Sequence, residues 1–126
     1  KKLVINVDFK FKGTGGTKGI PEVYRFNIIK RLKEHTKRLS IGSAGIETIY
    51  LVNNKVNFII HGRVTPWDHA PLNLVIKEAG GVVLMLRDEA EYSLSSSGPI
   101  LASSSFESWK KIRDIILPIG DNYRIN

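Results

Sequence analysis

Apolar residues recur along this 126-residue chain with two different periods. Val7, Phe9 and Phe11 alternate with Asp8, Lys10 and Lys12, and this period of two predicts a half-buried strand over residues 3–12. The glycine-rich run Gly13-Thr14-Gly15-Gly16-Thr17-Lys18-Gly19 then reads as a flexible connection. Pro21 suits a first helical turn, where its missing N–H falls among donors that are unpaired anyway. Behind it Tyr24, Ile28 and Leu32 repeat every four residues with Ile29 beside them, predicting a helix over 21–36. Ala44, Ile46, Ile49, Tyr50 and Val52 predict a second helix from Ser43, stopped by Asn53-Asn54-Lys55. Residues 56–60 read as a short strand. A third helix follows Trp67, with Asp68 as its N-cap, Pro71 in its first turn and Gly80-Gly81 as its left-handed stop. Val82 to Leu86 is unbroken apolar, the pattern of a strand buried on both faces. After a polar stretch, residues 99–102 form a further strand. Ser104 and Glu107 make a capping box for a last helix through Phe106, Trp109, Ile112, Ile115 and Ile116, ended by Pro118.

The order strand, helix, helix, strand, helix, strand, strand, helix predicts an α/β layered sandwich, helices packed on a mixed β-sheet. The length suits one domain over residues 1–126, and neither an internal repeat nor an interdomain linker interrupts it. Hydrophobic residues at 42% and charged residues at 25% exclude disordered and collagen-like classes. Cysteine is absent, which removes disulfide scaffolds, thiolate zinc sites and cysteine nucleophiles, and fits a reducing, cytoplasmic compartment. No apolar run approaches the roughly 18 residues that a membrane span needs. The first residues carry too short an apolar stretch for a secretory signal. They also lack an initiator Met, so the chain is expected to come from inside a longer polypeptide.

Lys and Arg number 19 against 12 Asp and Glu, a formal charge of +7. Arg25, Lys30, Arg31, Lys33, Lys37 and Arg38, opposed only by Glu34, supply much of the excess. Such a stripe either attracts phosphate backbones or is the solvated face of an amphipathic helix. No aromatic residues interleave with it as a single-strand binder requires, so nucleic acid is an unfavoured partner. Three histidines, His35, His61 and His69, show no i, i+4 pair and hence no helical zinc motif. The glycine-rich run matches neither nucleotide-binding pattern, and Gly42-Ser43-Ala44-Gly45 has the wrong spacing for a nucleophile elbow. Asp68 remains. A carboxylate after a strand and a turn, at the opening of a helix, serves as an N-cap and can also offer oxygen to magnesium, which binds through one or two carboxylates plus substrate phosphate.

Gly42-Ser43-Ala44-Gly45-Ile46-Glu47, Trp67-Asp68-His69-Ala70 and Glu78-Ala79-Gly80-Gly81 together resemble the C-terminal half of the inositol monophosphatase family. That family holds inositol monophosphatases, fructose bisphosphatases and phosphoadenosine phosphatases, all magnesium-dependent. The resemblance covers residues 38–117. It implies that Asp68 is a metal ligand beside the nucleophilic water, and that Gly42, Ser43 and Ala44 form a turn contacting substrate through backbone N–H groups. Trp67 would support the cleft wall. Arg63 either reaches a substrate phosphate or snorkels at the surface. The implied partner is a small phosphorylated metabolite, and family members commonly pair as homodimers.

The departures carry as much information. The family's Asp-Pro-x-Asp-Gly-Thr motif is absent from these residues, as is its upstream metal-holding glutamate, and Asp8, Glu22 and Glu34 stand in the wrong contexts to replace them. Many members place an acid that contacts sugar hydroxyls six or seven positions before Trp-Asp; this chain has His61, seven before Asp68, so the resemblance implies His61 as a substrate-binding residue and argues against inositol itself as the substrate. Pro71 and Leu72 replace small residues. The expectation is therefore the C-terminal lobe of a magnesium-dependent phosphomonoesterase, inactive alone and completed by a missing N-terminal lobe. The alternatives are a non-catalytic ligand-binding or interaction remnant of the same fold and, less favoured, a basic nucleic-acid-binding domain.

Overall fold

A computed structural model describes residues 11–125. The elements are β1 (Phe11–Gly16), α1 (Glu22–His35), β2 (Thr36–Leu39), α2 (Ala44–Val52), β3 (Phe58–His61), α3 (Pro66–Glu78), β4 (Val82–Met85), β5 (Ile100–Ser103) and α4 (Phe106–Ile116). They form one five-stranded sheet of order β2-β1-β3-β5-β4. β1 runs parallel to both β2 and β3, while β5 is antiparallel to β3 and β4, so the sheet is mixed as expected.

Strand periodicity sends neighbouring side chains to opposite faces, and β3 shows the result. Phe58 and Ile60 enter a core with Ile28 and Leu32 of α1 and Trp109, Ile112 and Ile116 of α4. Ile59 enters a second core with Leu51 of α2 and Leu72 and Ile76 of α3. Helices therefore cover both faces: α1 and α4 on one, α2 and α3 on the other. The buried Trp109 indole donates its Nε1–H to the Leu101 carbonyl at 2.7 Å, so its polar atom is satisfied inside the first core.

Several boundaries depart from the sequence reading. Most of the strand expected over 3–12 lies outside the described residues. The glycine run is not a connection throughout: Gly13 to Gly16 belong to β1 and pair with residues 58–61 of β3. Its glycines let two backbones approach. A Cβ on Gly13 would lie 2.0 Å from the Phe58 ring, and one on Gly15, where φ is +110°, would lie 1.8 Å from the Ile60 carbonyl oxygen. The stretch Thr36–Leu39, expected as a helix end and a loop, is edge strand β2. Helix α3 begins two residues before Asp68, with Pro66 at the first position and Thr65 as N-cap. Asp68 is thus inside the first turn rather than capping it, and Pro71 falls in the second turn. The last helix is capped by Ser105, whose hydroxyl accepts the Ser108 N–H at 3.1 Å, and not by Ser104. The Gly80-Gly81 stop holds: Gly80, with φ of +87°, donates to the Lys77 carbonyl and Gly81 to that of Ile76, a Schellman pair.

Candidate functional site

The connection leaving β1 carries α1 to one face of the sheet, and the connection leaving β3 carries α3 to the other. β1 and β3 are adjacent and parallel, so their carboxyl ends flank a topological switch point, where open α/β sheets form their binding crevices. A cleft of about 420 Å³ opens there. Gly15 and Gly16 supply one side, His61, Gly62 and Arg63 another, and the N-terminal ends of α2 and α3 the rest. The turn after β1 packs on the turn after β3, since a Cβ on Gly62 would lie 2.2 Å from the Lys18 carbonyl oxygen. Lys18 and Arg63 bring positive charge to the rim, and two helix N-termini add their partial positive ends.

Of the residues singled out from the sequence, Gly42, Ala44, His61, Arg63 and Asp68 line this one cleft. Ser43 does not line it. Its hydroxyl caps α2, accepting the Ile46 N–H at 3.4 Å. Asp68 is exposed, and its Oδ2 accepts a hydrogen bond from Thr65 Oγ1 at 3.2 Å.

Beneath the rim lies a buried polar chain that sequence reasoning missed. Thr14 Oγ1 donates to Glu47 Oε2 at 2.7 Å. Glu47 Oε1 lies 2.7 Å from His61 Nε2, and His61 Nδ1 lies 2.7 Å from His69 Nε2, the two rings meeting edge to face. His69 Nδ1 lies 2.9 Å from the Thr65 N and 3.1 Å from the Thr65 carbonyl oxygen. Glu47 and His69 are each 3% exposed, so these groups depend on one another for partners. Burial alone would raise the Glu47 pKa. Hydrogen bonds from His61 and Thr14, with the charges of His61 and Arg38, outweigh it and hold the carboxyl below its ordinary value. Burial pushes the His69 pKa down, against the Thr65 carbonyl and the charges of Asp68 and Glu47. One signal of this chain was available: Glu47 is the only charged residue in the mostly apolar α2.

The donor set does not fit a resident metal by itself. Among the described residues no three His, Cys, Asp or Glu side chains group around a metal position. Both Glu47 oxygens are occupied, which leaves Asp68 as the available carboxylate.

The basic stripe is partly committed inside the fold. Arg25 donates to Thr17 Oγ1, Arg31 pairs with Asp121 at 2.7 Å, and Arg38 donates to the Gly15 carbonyl. No helix among the described residues is long and apolar enough to cross a membrane.

A sequence profile described as "Inositol monophosphatase family" matches residues 12–118. The chain belongs to the inositol monophosphatase family. A relative described as "Fructose-1,6-bisphosphatase/inositol-1-monophosphatase" from Thermotoga maritima is 39% identical over 56 residues, 44% of this chain and 22% of that protein. Among solved structures, the inositol monophosphatase from Anabaena (Nostoc) sp. PCC 7120 superposes with a TM-score of 0.72 at 20% identity, covering 90% of this chain and 47% of that one. The Thermotoga maritima IMPase superposes with a TM-score of 0.65 at 24% identity, covering 83% and 39%. These superpositions show the inositol monophosphatase fold. The chain spans less than half the length of the relatives it matches.

Proposed function

We propose that this chain is the C-terminal lobe of a magnesium-dependent phosphomonoesterase acting on a small phosphorylated metabolite, with a further lobe completing the metal site. The observation that carries this reading is convergence. Gly42, Ala44, Arg63 and Asp68, distant in sequence, share one cleft at the switch point of a family fold. Asp68 would be one ligand of a metal whose other carboxylates lie outside the described residues. Arg63, Lys18 and the α2 N-terminus would hold the phosphoryl group in place, and positioning of this kind is a large part of any phosphoryl-transfer rate.

A second feature supports a completing lobe. The outward side of α2 and α3 exposes Ile46, Ile49, Trp67 and Val75. A groove of about 290 Å³ there includes Asp68, so apolar surface and cleft are continuous. Contiguous exposed apolar surface marks a protein contact. The same face favours the second reading, an interaction or ligand-binding module without turnover, and it is also where a homodimer contact would fall. A cysteine-free sequence is consistent with a cytoplasmic setting.

The intact mass of the protein, followed by phosphate release from a panel of phosphomonoesters with and without magnesium, tests this. The 126-residue chain alone should be inactive. A longer polypeptide carrying it should be active with magnesium and lose that activity in Asp68→Asn. Sustained magnesium-dependent release by a verified 126-residue monomer would remove the two-lobe part. Sugar-phosphate binding without turnover, lost in Arg63→Ala, would favour the binding module.

A further inference from the structure

We propose that Glu47 is a positioning residue: through His61 and His69 it sets a one-directional hydrogen-bond chain that fixes the turn carrying Thr65 and Asp68. A carboxylate only accepts, so the proton between Glu47 Oε1 and His61 Nε2 sits on the histidine. The 2.7 Å contact between His61 Nδ1 and His69 Nε2 needs one proton between two nitrogens, and there are two ways to place it.

If His69 Nε2 carries that proton, His69 Nδ1 is bare and accepts the Thr65 backbone N–H at 2.9 Å. If His61 Nδ1 carries it, His61 holds a proton on both nitrogens and is an imidazolium, and a neutral His69 then carries its own proton on Nδ1. That proton then meets the Thr65 N–H donor against donor. It can share the Thr65 carbonyl at 3.1 Å, which also accepts the His69 backbone N–H at 2.9 Å, but the Thr65 N–H loses its acceptor. The first arrangement leaves every buried donor paired, and the second strands one. Both imidazoles are therefore Nε2–H tautomers, and the chain runs Thr65 N–H to His69, His69 to His61, His61 to Glu47, with Thr14 closing the far carboxylate oxygen. The chain ties β1, α2, β3 and the start of α3 together below the cleft. At its near end Thr65, with its N–H fixed by His69, donates its hydroxyl to Asp68.

One consequence rests on the phosphatase reading. His61 stands where the family resemblance places an acid that takes substrate hydroxyls, yet neither of its ring nitrogens is free. Here that position is a strut, and recognition falls to the cationic rim.

The experiment is long-range ¹H–¹⁵N correlation of the imidazoles in ¹⁵N-histidine-labelled protein at neutral pH, for the wild type, Glu47→Ala and Glu47→Gln. Exposed His35 serves as the internal comparison. His61 and His69 should each show a protonated Nε2 and a bare Nδ1. Glu47→Ala should collapse this into exchange-averaged signals. Glu47→Gln should restore it, because the amide oxygen accepts the same bond while its NH₂ donates to Thr14. A protonated Nδ1 on either ring of the wild type, or an Ala spectrum unchanged from it, overturns the proposal. If Glu47→Ala does not fold, the wild type and Glu47→Gln decide alone, and averaged tautomers in either count against it. The readout needs no substrate and no metal, so its failure is distinguishable from failure of the phosphatase reading.

Discussion

Gly15 and Gly16 are neighbours in β1, yet a methyl group added to each should have opposite effects. At Gly15 the backbone has φ of +110° and the new Cβ would sit 1.8 Å from the Ile60 carbonyl oxygen. Holding an ordinary residue in that region costs about 1–3 kcal/mol. Forcing β1 away from β3 adds about 1–3 kcal/mol as overpacking. The sum, about 2–6 kcal/mol, is a large part of the roughly 5–15 kcal/mol that holds a domain folded. At Gly16 nothing lies within 4 Å of the added atom and φ is not in the positive region. Alanine there should be neutral or stabilise by about 0.4–1 kcal/mol, by narrowing the unfolded ensemble. Urea unfolding followed by the fluorescence of buried Trp109, in a Trp67→Phe background that removes the exposed indole, measures both. Gly15→Ala should also melt about 6 °C or more below the parent, given roughly 3–6 °C per kcal/mol at this size. A Gly15→Ala protein within about 0.5 kcal/mol of the parent, the scatter expected of a surface change, would refute the claim that β1 is glycine-rich for close approach.

Three further outcomes follow from the same packing. Glu47 has a folded pKa below its unfolded value of about 4.3, so its stabilisation is complete above that pH and is lost as pH falls through the folded value. Acid unfolding curves of Glu47→Gln should therefore lack that part of the slope, and an unchanged pH dependence would contradict the shift. The fully buried Arg113 guanidinium donates to the carbonyls of Leu86, Arg87 and Ile125 and pairs with Glu89 at 2.6 Å. Arg113→Met keeps the stem but strands those acceptors, and a loss of about 3–5 kcal/mol in urea titration is expected; a loss under about 1 kcal/mol would contradict it. Trp67, 75% exposed, should tolerate Trp67→Ser within about 0.5 kcal/mol while any self-association seen in sedimentation velocity falls, and unaltered self-association would discount the α2–α3 face as a contact surface.

Helices were legible in the sequence because each writes a period of about four onto a dozen residues. The α1 stripe of Tyr24, Ile28 and Leu32 gave its bounds within a residue. Two strands resisted. In β1 the decisive residues are glycines, which carry no hydropathy signal, and their reason lies in Phe58 and Ile60 more than forty positions away. In β2 two of four residues are cationic, so the charge pattern hid an edge strand. Part of the cleft was readable, because Asp68, Gly42 and Ala44 sit in the local motifs Trp67-Asp68 and Gly42-Ser43-Ala44. The Glu47–His61–His69 chain was not, because a search for i, i+4 pairs cannot see two histidines brought together across a strand-to-helix turn. Burial of a lone acid in α2 is a tertiary fact with only a faint local trace.

The two borders of the sheet deal with aggregation differently. Along β4 the chain folds back on itself: Met85 donates to the Ala90 carbonyl and Leu84 bridges to Glu91, so the apolar Val82–Met85 strand offers no clean template to a neighbouring molecule. Among the described residues β2 has no such cover beyond β1. It has Lys37, exposed on the open border, and Arg38, held against the Gly15 carbonyl. A second molecule adding a strand there would set like charges side by side, which is a common way for natural sheets to stay unpaired. Part of the basic excess that first suggests a polyanion partner thus acts as a guard on the β2 border of the described sheet.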